Sequence, residues 1–554
     1  MYIVKRFANK DGSVREYLYI VKAVREGEKV RQKVVAYLGR VDELQQEGTV
    51  DALVEGLVRY AQAKEVIDAA QDLFCENAKE YGPLLVFRKL WRDVGLEPFL
   101  TRYVAERGYE FPVVEAIFAM VVNRLLAPCS KLSVSHWIEE VEEPAFRDLS
   151  LHHFYRAMDV LYANKERLEE DLFRRNRDLF AQEVDLAFFD TTTVSFQGEG
   201  PEGLAEYGYS RARRPDLRQS VVAVVMTQGG FPIAHEIFPG STSDLRAFPA
   251  VIRRVKERFR LGRVIVVSDR GTVSEENLGL LEELGLPYIV GVRMRKAKEV
   301  AEEVLSWPGR YQEVARNLKV KEVRLEDKRY IVCLNEEEAE RDKKAREETV
   351  ALLEEKLARE GIKGLVGNKG YRRFLKITGA KAEINEEKLQ EEARYDGKYV
   401  LLTNTELPAT EVALAYKGLW QVEQAFRELK DQLEVEPVYH WTEPRVRAHV
   451  AICFLAFVLE VELRKRLEKL GIEGGFREVL RDLRRVKAGE LRVKERVHRV
   501  RTELQGQAYQ AFQAAGIAPP KRVVPLSVVA TSALDGRPFC SKQLSSPHHC
   551  QTWV

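Results

Sequence analysis

The sequence predicts a mixed α/β protein with a sheet at its centre. Three segments rich in Val, Ile and Phe follow one another after residue 184, and the chain then alternates helix, strand, helix, strand to about residue 290. Before residue 180, apolar residues recur instead at the three-and-four spacing of amphipathic helices. Apolar residues make up 45% and charged residues 31% of the 554, which excludes an extensively disordered chain.

Length and charge set further limits. At roughly 100–200 residues per domain, the chain holds about three to five domains. Its 88 Lys and Arg nearly balance its 86 Asp and Glu, so any basic surface must be local. Six cysteines are too few for a disulfide scaffold. The start has no apolar signal core, and the longest apolar run, Val450–Leu459, is about half of a membrane span. We therefore expect a cytoplasmic protein without membrane contact.

The first 180 residues are predicted to form two domains. Residues 1–45 alternate and break at turns, which predicts a small antiparallel β domain. Residues 1–40 hold ten bases and four acids, a local charge of +6 that suits either phosphate contact or a solvated sheet face. Residues 46–180 are predicted to be helical, as a DNA-binding domain or a plain bundle.

The next segment, 184–292, is predicted to be the first part of an RNase-H-like core, because its elements follow the strand order of that fold. The predicted elements are strands Val184–Phe189, Ser220–Met226 and Phe231–Ile237, a helix over Ser243–Phe259, strand Val264–Val267, a helix over Ser274–Leu284, and strand Tyr288–Val290.

The rest of the chain is predicted to interrupt and then complete this core. Residues 293–398 are an insertion with strand-like pieces and a charged, solvated helix, and residues 399–460 return with a strand and one helix running from about Glu411 past Lys430. Residues 461–525 are expected to be helical and basic, with a charge of +6 over 477–501. The tail, 526–554, is expected to be disordered. Its Cys540, His548, His549 and Cys550 lack the paired spacing of structural zinc ligands.

Two aspartates are candidate metal ligands. Asp190 and Asp269 each end an apolar strand, and strands adjacent in such a sheet bring the two carboxylates together. A divalent cation would relieve their repulsion, although each aspartate alone also suits a turn or a helix cap.

A third acid is expected on the helix around residue 420. Glu423 lies beside the apolar stripe formed by Leu419, Val422, Phe426 and Leu429, which favours a ligand over a solubilising charge. Glu428 is the competing acid and is expected to be more exposed.

These residues resemble the DDE transposases of bacterial insertion sequences, specifically the insertion-sequence-four group and its relatives. That group carries Tyr-x2-Arg-x3-Glu-x6-Lys on a helix, and this chain has Tyr416, Leu419, Glu423 and Lys430, with Leu where the group has Arg. Phe189–Thr192, Ser268–Gly271 and Gly240–Asp244 are also similar to the group's motifs. The stretch 209–219 resembles its Ser-Lys-Asp-x-Arg-Pro-Asp-Leu-x-Gln, with Ala212 in place of an acid. The resemblance covers roughly residues 1–460.

The resemblance implies that Asp190, Asp269 and Glu423 bind two Mg²⁺ (or Mn²⁺) ions for phosphoryl transfer on DNA. It also implies a bacterial or archaeal host, double-stranded DNA partners (terminal inverted repeats and target DNA), and a homodimer in a synaptic complex. The residues expected to contact DNA are Tyr416, Lys430, Arg427, Trp420, Arg211, Arg214, Arg218 and Arg270. Trp420 is a candidate for stacking on an unpaired base, or else a core residue.

Two alternatives stay open. One is a metal-dependent nuclease with the same acids that cuts DNA without joining it. The other is a catalytically inactive or repurposed DNA-binding protein that recognises terminal repeats, which Leu419 favours because it removes an expected phosphate contact.

Overall fold

The computed structural model describes residues 2–10, 13–26, 29–46, 48–58, 60, 73–179, 185–211, 213–259, 264–360, 373–378, 381–472, 475–493 and 496–526. The chain divides into two compact units. The first comprises residues 1–78, 489–501 and 521–554, and the second comprises residues 79–488 and 502–520. The cysteine- and histidine-containing tail of the sequence analysis lies outside the described residues.

In chain order the strands are β1 Tyr2–Lys10, β2 Ser13–Glu26, β3 Lys29–Arg40, β4 Leu73–Glu80, β5 Asp185–Ser195, β6 Gln219–Thr227, β7 Pro232–Pro239, β8 Val264–Ser268, β9 Tyr288–Val292, β10 Gln312–Ala315, β11 Leu318–Leu325, β12 Lys328–Leu334, β13 Leu375–Thr378, β14 Lys381–Ile384, β15 Lys398–Thr403, β16 Lys487–Val493, β17 Arg496–Arg501 and β18 Val523–Leu526.

The α-helices are α1 Val41–Gln46, α2 Thr49–Val58, α3 Gly82–Asp93, α4 Leu96–Ala105, α5 Val113–Leu126, α6 Lys131–Trp137, α7 Leu151–Leu179, α8 Asp244–Phe259, α9 Glu275–Glu283, α10 Glu336–Glu360, α11 Glu386–Ala393, α12 Ala409–Lys417, α13 Trp420–Asp431, α14 Glu443–Lys469, α15 Phe476–Arg484 and α16 Ala508–Ala514. A short 3₁₀ helix covers Pro144–Phe146 and a π-helical turn covers Val300–Val304.

The first unit contains two sheets. The three-stranded sheet β1-β2-β3 confirms the strands predicted from the alternating N-terminal sequence. The second sheet has the order β18-β17-β16-β4. The helical prediction for 461–525 is therefore wrong over β16, β17 and β18, because these segments pair with one another and with the distant strand β4, which local periodicity does not reveal. The strand β4 likewise departs from the helical prediction for 46–180.

The second unit is built on a nine-stranded sheet that contains an RNase-H-like core. Five neighbouring strands have the order β7-β6-β5-β8-β9. The strands β5, β6 and β7 pair antiparallel, whereas β8 pairs parallel to both β5 and β9. This order and these directions are those of the RNase-H-like fold, so the fold predicted from the sequence is confirmed.

The segment 293–398 adds strands to the same sheet. Beyond β9 the order continues β15-β12-β11-β10, and each of these strands pairs antiparallel to its neighbour. The charged helix α10 lies outside this sheet, and a small apolar cluster of Leu353, Phe374 and Leu375 forms beside it. The insertion therefore interrupts the core in the sequence, as predicted, and in the structure its strands lengthen the central sheet.

The helix α14 is the buried centre of the second unit. Its residues from Val450 to Val461 are almost entirely buried, and it packs against α5, α7, β7 and α13. The apolar run Val450–Leu459 is thus a core helix. Within the described ranges no single helix passes as a membrane span by length and composition, although α5 and α6 together would pass as a bent pair.

The predicted single helix from Glu411 past Lys430 is two helices, α12 and α13. The chain turns at Gly418 and Leu419, between them. A Cβ on Gly418 would lie 2.8 Å from Cζ of Phe188, so a glycine lets the chain approach β5 closely at this turn. The break directs α13 across β5 and β6.

A buried ionic cluster ties α7 to the sheet. Glu169 of α7 is 1% exposed and accepts a hydrogen bond from the backbone N–H of His235 in β7 at 3.1 Å. Its other oxygen lies 2.9 Å from Nη2 of Arg258 in α8, and Lys165 lies 3.4 Å away. Burial by itself raises the pKa of Glu169, but the surrounding cations, Lys165 first, outweigh it and bring the pKa to about 2.

We expect Glu169→Gln to lower the free energy of unfolding by about 1–3 kcal/mol, because Lys165 and Arg258 would lose their contact with Glu169 and keep only Glu236 and Glu170 as carboxylate partners. Since the folded pKa is depressed, this contribution is present above about pH 4.5 and is lost as the pH falls towards 2. Urea unfolding at pH 7 measures it. The exposed neighbour Glu166→Gln is the control, and equal stabilities for the two variants would contradict the prediction.

Candidate active site

The two predicted aspartates lie side by side, but only Asp269 follows the end of its strand. The strand β5 continues past Asp190 to Ser195, because residues 191–195 also pair with β6, so the prediction that Asp190 ends a strand is wrong. In the parallel pairing of β5 with β8, Phe189 is opposite Ser268, so Asp190 and Asp269 are the next residues on neighbouring strands. Phe188 and Val267, which precede them, are fully buried and fix both backbones in the core. The predicted juxtaposition of the two carboxylates is therefore present at the carboxyl edge of the sheet.

Asp190 carries the most perturbed carboxyl group of this edge. Burial is the main cause that raises its pKa, to about 7, and the charges of Asp269 and Asp244 raise it further. Arg211, whose Nη1 lies 3.9 Å from Oδ1 of Asp190, acts in the opposite direction. The backbone N–H of Thr191 donates a hydrogen bond of 2.7 Å to the same oxygen. The site thus concentrates negative charge where water solvates it poorly.

Asp269 is held by Tyr416 from α12. The Tyr416 hydroxyl donates a 3.2 Å hydrogen bond to Oδ1 of Asp269. Burial and then the charge of Asp269 raise the pKa of Tyr416, which keeps the hydroxyl protonated as a donor. A Cβ on Gly291 of β9 would lie 2.5 Å from the hydroxyl oxygen, so a side chain there would displace Tyr416. The tyrosine expected to contact DNA therefore also orients an aspartate.

The sequence prediction about the two glutamates of α13 is wrong in one respect. Glu428, expected to be the more exposed, is 7% exposed, whereas Glu423 is exposed in the first turn of the helix. The reason is the neighbouring helix: Glu428 faces α14, where Arg464 Nη2 lies 2.8 Å from its Oε1. Leu419 is buried, as its place in the predicted apolar stripe indicates, so this position belongs to the core.

The buried pair Glu428 and Glu460 anchors α13 to α14. The same nitrogen of Arg464 lies 2.8 Å from Glu428 and 2.6 Å from Glu460. Gln424 also donates a 2.8 Å hydrogen bond to Glu428. Burial, followed by the nearby charge of Glu428, raises the pKa of Glu460 to about 8. The helix that carries Glu423 is therefore fixed by a buried polar contact.

An acid that was not among the predicted site residues belongs to this site. Asp244, at the start of α8, accepts hydrogen bonds from the Thr191 hydroxyl and, at 3.0 Å, from Nη2 of Arg211. Arg211 also donates to the backbone oxygen of Thr191. The turn Gly240–Asp244, already similar to a transposase motif, was the signal in the sequence that pointed to this residue.

The structure distributes the residues expected to contact DNA over several environments. Arg211 pairs with Asp244 of the acid cluster at 3.0 Å. Arg214 pairs with Asp216 at 2.7 Å, and Lys430 pairs with Glu436 at 3.0 Å. The others on or near the surface are Trp420, Arg427, Arg270 and Arg218, of which Trp420 is 53% exposed. Exposure excludes the core interpretation of Trp420.

Sequence reasoning missed a group of exposed aromatic side chains. Tyr207, Tyr209 and Trp441 are 60%, 86% and 65% exposed. Trp441 lies close to the end of β5, because a Cβ on Gly198 would be 3.6 Å from its ring. No signal in the sequence joins positions 198 and 441, which are brought together by a bridge between Phe196 and Val438.

The donor set of the sheet edge fits a divalent cation only in part. Asp190 and Asp269 offer hard oxygen ligands, and their mutual repulsion is relieved by positive charge between them. Glu423, on the adjacent helix, does not join them: in the described residues no three His, Cys, Asp or Glu side chains are grouped closely enough to hold a metal ion.

Two neighbouring aspartates, one within the first strand and one directly after the fourth strand of an RNase-H-like sheet, define the class: an enzyme of phosphodiester chemistry. The family follows from the sequence. A family model described as "Transposase DDE domain" matches residues 184–459, and the N-terminal domain model of the IS1634 family of transposases matches residues 3–70. The chain belongs to the DDE transposases of bacterial insertion sequences and is a DNA transposase. This is a metal-dependent class that cleaves DNA and transfers strands.

Solved structures are similar at low identity. The piggyBac transposase synaptic complex with hairpin DNA is 10% identical, with 73% of this chain and 79% of that chain covered and a TM-score of 0.37. The Mos1 transposase paired-end complex with the left transposon end is 16% identical, with 35% and 57% covered and a TM-score of 0.14. No curated protein matches the chain in sequence. The fold assignment accordingly rests on the strand order of this chain.

We expect Arg211→Met to raise the pKa of Asp190 above about 7, because burial would remain and the cation that opposes it would be lost. Carbon-13 NMR titration of the side-chain carboxyl groups, in metal-free protein, measures this. Arg214→Met, which removes an exposed arginine of the same loop, should leave the titration unchanged. An unchanged pKa in Arg211→Met would show that Arg211 does not act on Asp190.

A second expectation concerns Glu460. Its folded pKa is raised from 4.5 to about 8, so the folded state retains a proton that the unfolded state releases, and stability falls as the pH rises through this window. Glu460→Gln removes the titrating group, so its melting temperature should fall less than that of the wild type between pH 5 and pH 8. The control is Glu468→Gln, an exposed site of the same helix, and parallel curves for all three proteins would refute the expectation.

Proposed function

We propose that Asp190, Asp269 and Glu423 together bind two divalent ions, Mg²⁺ or Mn²⁺, and that this chain moves its insertion sequence by cut-and-paste transposition. In this reaction it cuts DNA at the terminal inverted repeats and joins the freed 3′-OH ends to target DNA. The observation that carries the proposal is the side-by-side position of Asp190 and Asp269 on parallel strands. DDE transposases generally use divalent metal ions.

The chain supplies position and charge. Bound ions contribute Lewis acidity towards the scissile phosphate and its attacking oxygen. Asp190 and Asp269 hold the site rigidly because their strands are buried, and Tyr416 orients Asp269 through its hydroxyl. Glu423 is exposed in the first turn of α13, and α13 packs on the strand that carries Asp190, which makes it the third ligand of the proposal.

The DNA contacts of the proposal come from exposed groups around this edge. Arg270 follows Asp269 directly, and Arg427 lies one turn beyond Glu423 on α13. Trp420 presents an exposed ring suited to stacking on an unpaired base. Lys430 would have to exchange its contact with Glu436 for a phosphate.

The assembly and location of the protein are also proposals. Cutting two ends and joining them to one target requires two active sites held together, so we propose a homodimer on paired DNA ends. Its substrate places it in the cytoplasm of its host, on the chromosome.

The test is cleavage of a labelled duplex that carries the element's own terminal repeat, with and without Mg²⁺. Asp190→Ala, Asp269→Ala and Glu423→Ala should each reduce cutting to the level without Mg²⁺ while still binding the duplex. The control is Glu411→Ala, an exposed acid on the preceding helix, which should cut normally.

The other outcomes are equally clear. Cutting by Glu423→Ala would mean that another acid completes the site, with Asp244 the first to test. Binding without cutting by the wild type would favour the inactive DNA-binding protein. Cutting without transfer of the 3′ end to a second duplex would favour a nuclease.

A further inference from the structure

A cavity of about 270 Å³ in the second unit is lined by basic side chains that the proposed chemistry does not use. They come from distant parts of the sequence: Arg124 from α5, Lys131 from α6, His440 from the loop before α14, and His449 from α14 itself. Tyr155 of α7 also lines it.

Arg124 is buried without a counter-ion. It is 5% exposed, and its two terminal nitrogens donate to the backbone oxygens of Glu434 and Cys129 at 3.3 and 2.8 Å. Its Nε is buried and makes no hydrogen bond to any residue that the structure describes. Both contacts are to neutral carbonyl groups, so the positive charge of the guanidinium stays uncompensated.

Lys131 brings a second buried charge to the same cavity. It is 3% exposed, and no carboxylate within the described ranges forms an ion pair with it or with Arg124. Of the two glutamates in the lining, Glu436 is bound to Ser195 and Lys430, and Glu434 offers its backbone oxygen to Arg124. Two buried cations facing one cavity are costly unless an anion joins them.

The remaining groups around the cavity add little compensation. Burial, then Arg124, lowers the pKa of Lys131 to about 7. Burial, then Lys131, lowers the pKa of His440 to about 4, and burial places that of His449 well below its usual range, so both imidazoles are neutral at pH 7. The other titratable groups acting on these side chains are the thiols of Cys129 and Cys453 and the guanidinium of Arg445.

We propose that this cavity is a binding site for a phosphate-type oxyanion, with Nε of Arg124 and Nζ of Lys131 as its donors. A tetrahedral oxyanion offers several acceptors to donors converging from different elements, and the cavity has room for it with bound water. Its source is either free phosphate or a phosphate group of bound DNA. The site does not depend on the acids of the proposed reaction.

Sulfate is the probe, because it stays a dianion from pH 6 to pH 9 and any pH dependence must come from the protein. The melting temperature of the full chain is measured at increasing sulfate, with chloride holding the ionic strength constant. We expect sulfate to stabilise the wild type, and more at pH 6 than at pH 8.5, because Lys131 is protonated below about 7.

The decisive variant is Lys131→Met, which keeps the volume and removes the charge. Its sulfate affinity should fall about tenfold or more. Lys89→Met, at an exposed lysine of α3, should behave like the wild type. Equal sulfate shifts in the three proteins would overturn the proposal. The proposal would also be overturned if the sulfate-induced rise in the melting temperature of the wild type did not change with pH. This second test does not depend on the folding of any variant.

DNA binding by the same proteins identifies the source. If a DNA phosphate occupies the cavity, Lys131→Met binds duplex DNA more weakly than Lys89→Met and with a shallower salt dependence. If the ligand is free phosphate, the two variants bind DNA equally while only Lys131→Met loses the sulfate response. Either result supports the oxyanion site.

Discussion

The parallel pairing of β5 with β8 is the constraint on which the site depends. It sets Asp190 beside Asp269, and because both strands are buried the carboxylates cannot move apart. Two neighbouring groups partly compensate this negative charge. The guanidinium of Arg211 lies close to Asp190, and the hydroxyl of Tyr416 donates a hydrogen bond to Asp269. The repulsion between the two carboxylates therefore favours the binding of a positive charge at this edge of the sheet.

The contacts of Arg211 depend on the tertiary fold and not on its local sequence. In the sequence it is one of several arginines in a basic stretch, which predicts a nucleic-acid contact. In the structure it is held between Asp244 and Asp190, whereas Arg214, three residues later, pairs with the exposed Asp216. One arginine thus belongs to the acid cluster and the other to the surface, although both lie in the same basic stretch.

The helix α13 carries two glutamates in different environments. Glu423 is exposed and free to meet a ligand, while Glu428 is buried against Arg464 and Glu460 and holds the helix in place. The break at Gly418 gives α13 its own direction, independent of α12 and of the Tyr416 that α12 carries. One helix therefore carries both a buried acid that anchors it and an exposed acid that is available for the proposed site.

By itself the sequence determined the succession of strands and helices along the core, the two aspartates of the site, the N-terminal sheet and the family. These follow from motifs and from the spacing of apolar residues, because the periods of strands and helices can be recognised within a few consecutive residues. It did not determine that the 293–398 strands join the central sheet, that β16 to β18 are strands, or that Glu428 is buried. Nor did it show the cavity that joins Lys131 to His449. Each of these depends on contacts between residues far apart in sequence, and only the packed tertiary structure decides which distant groups share a buried space.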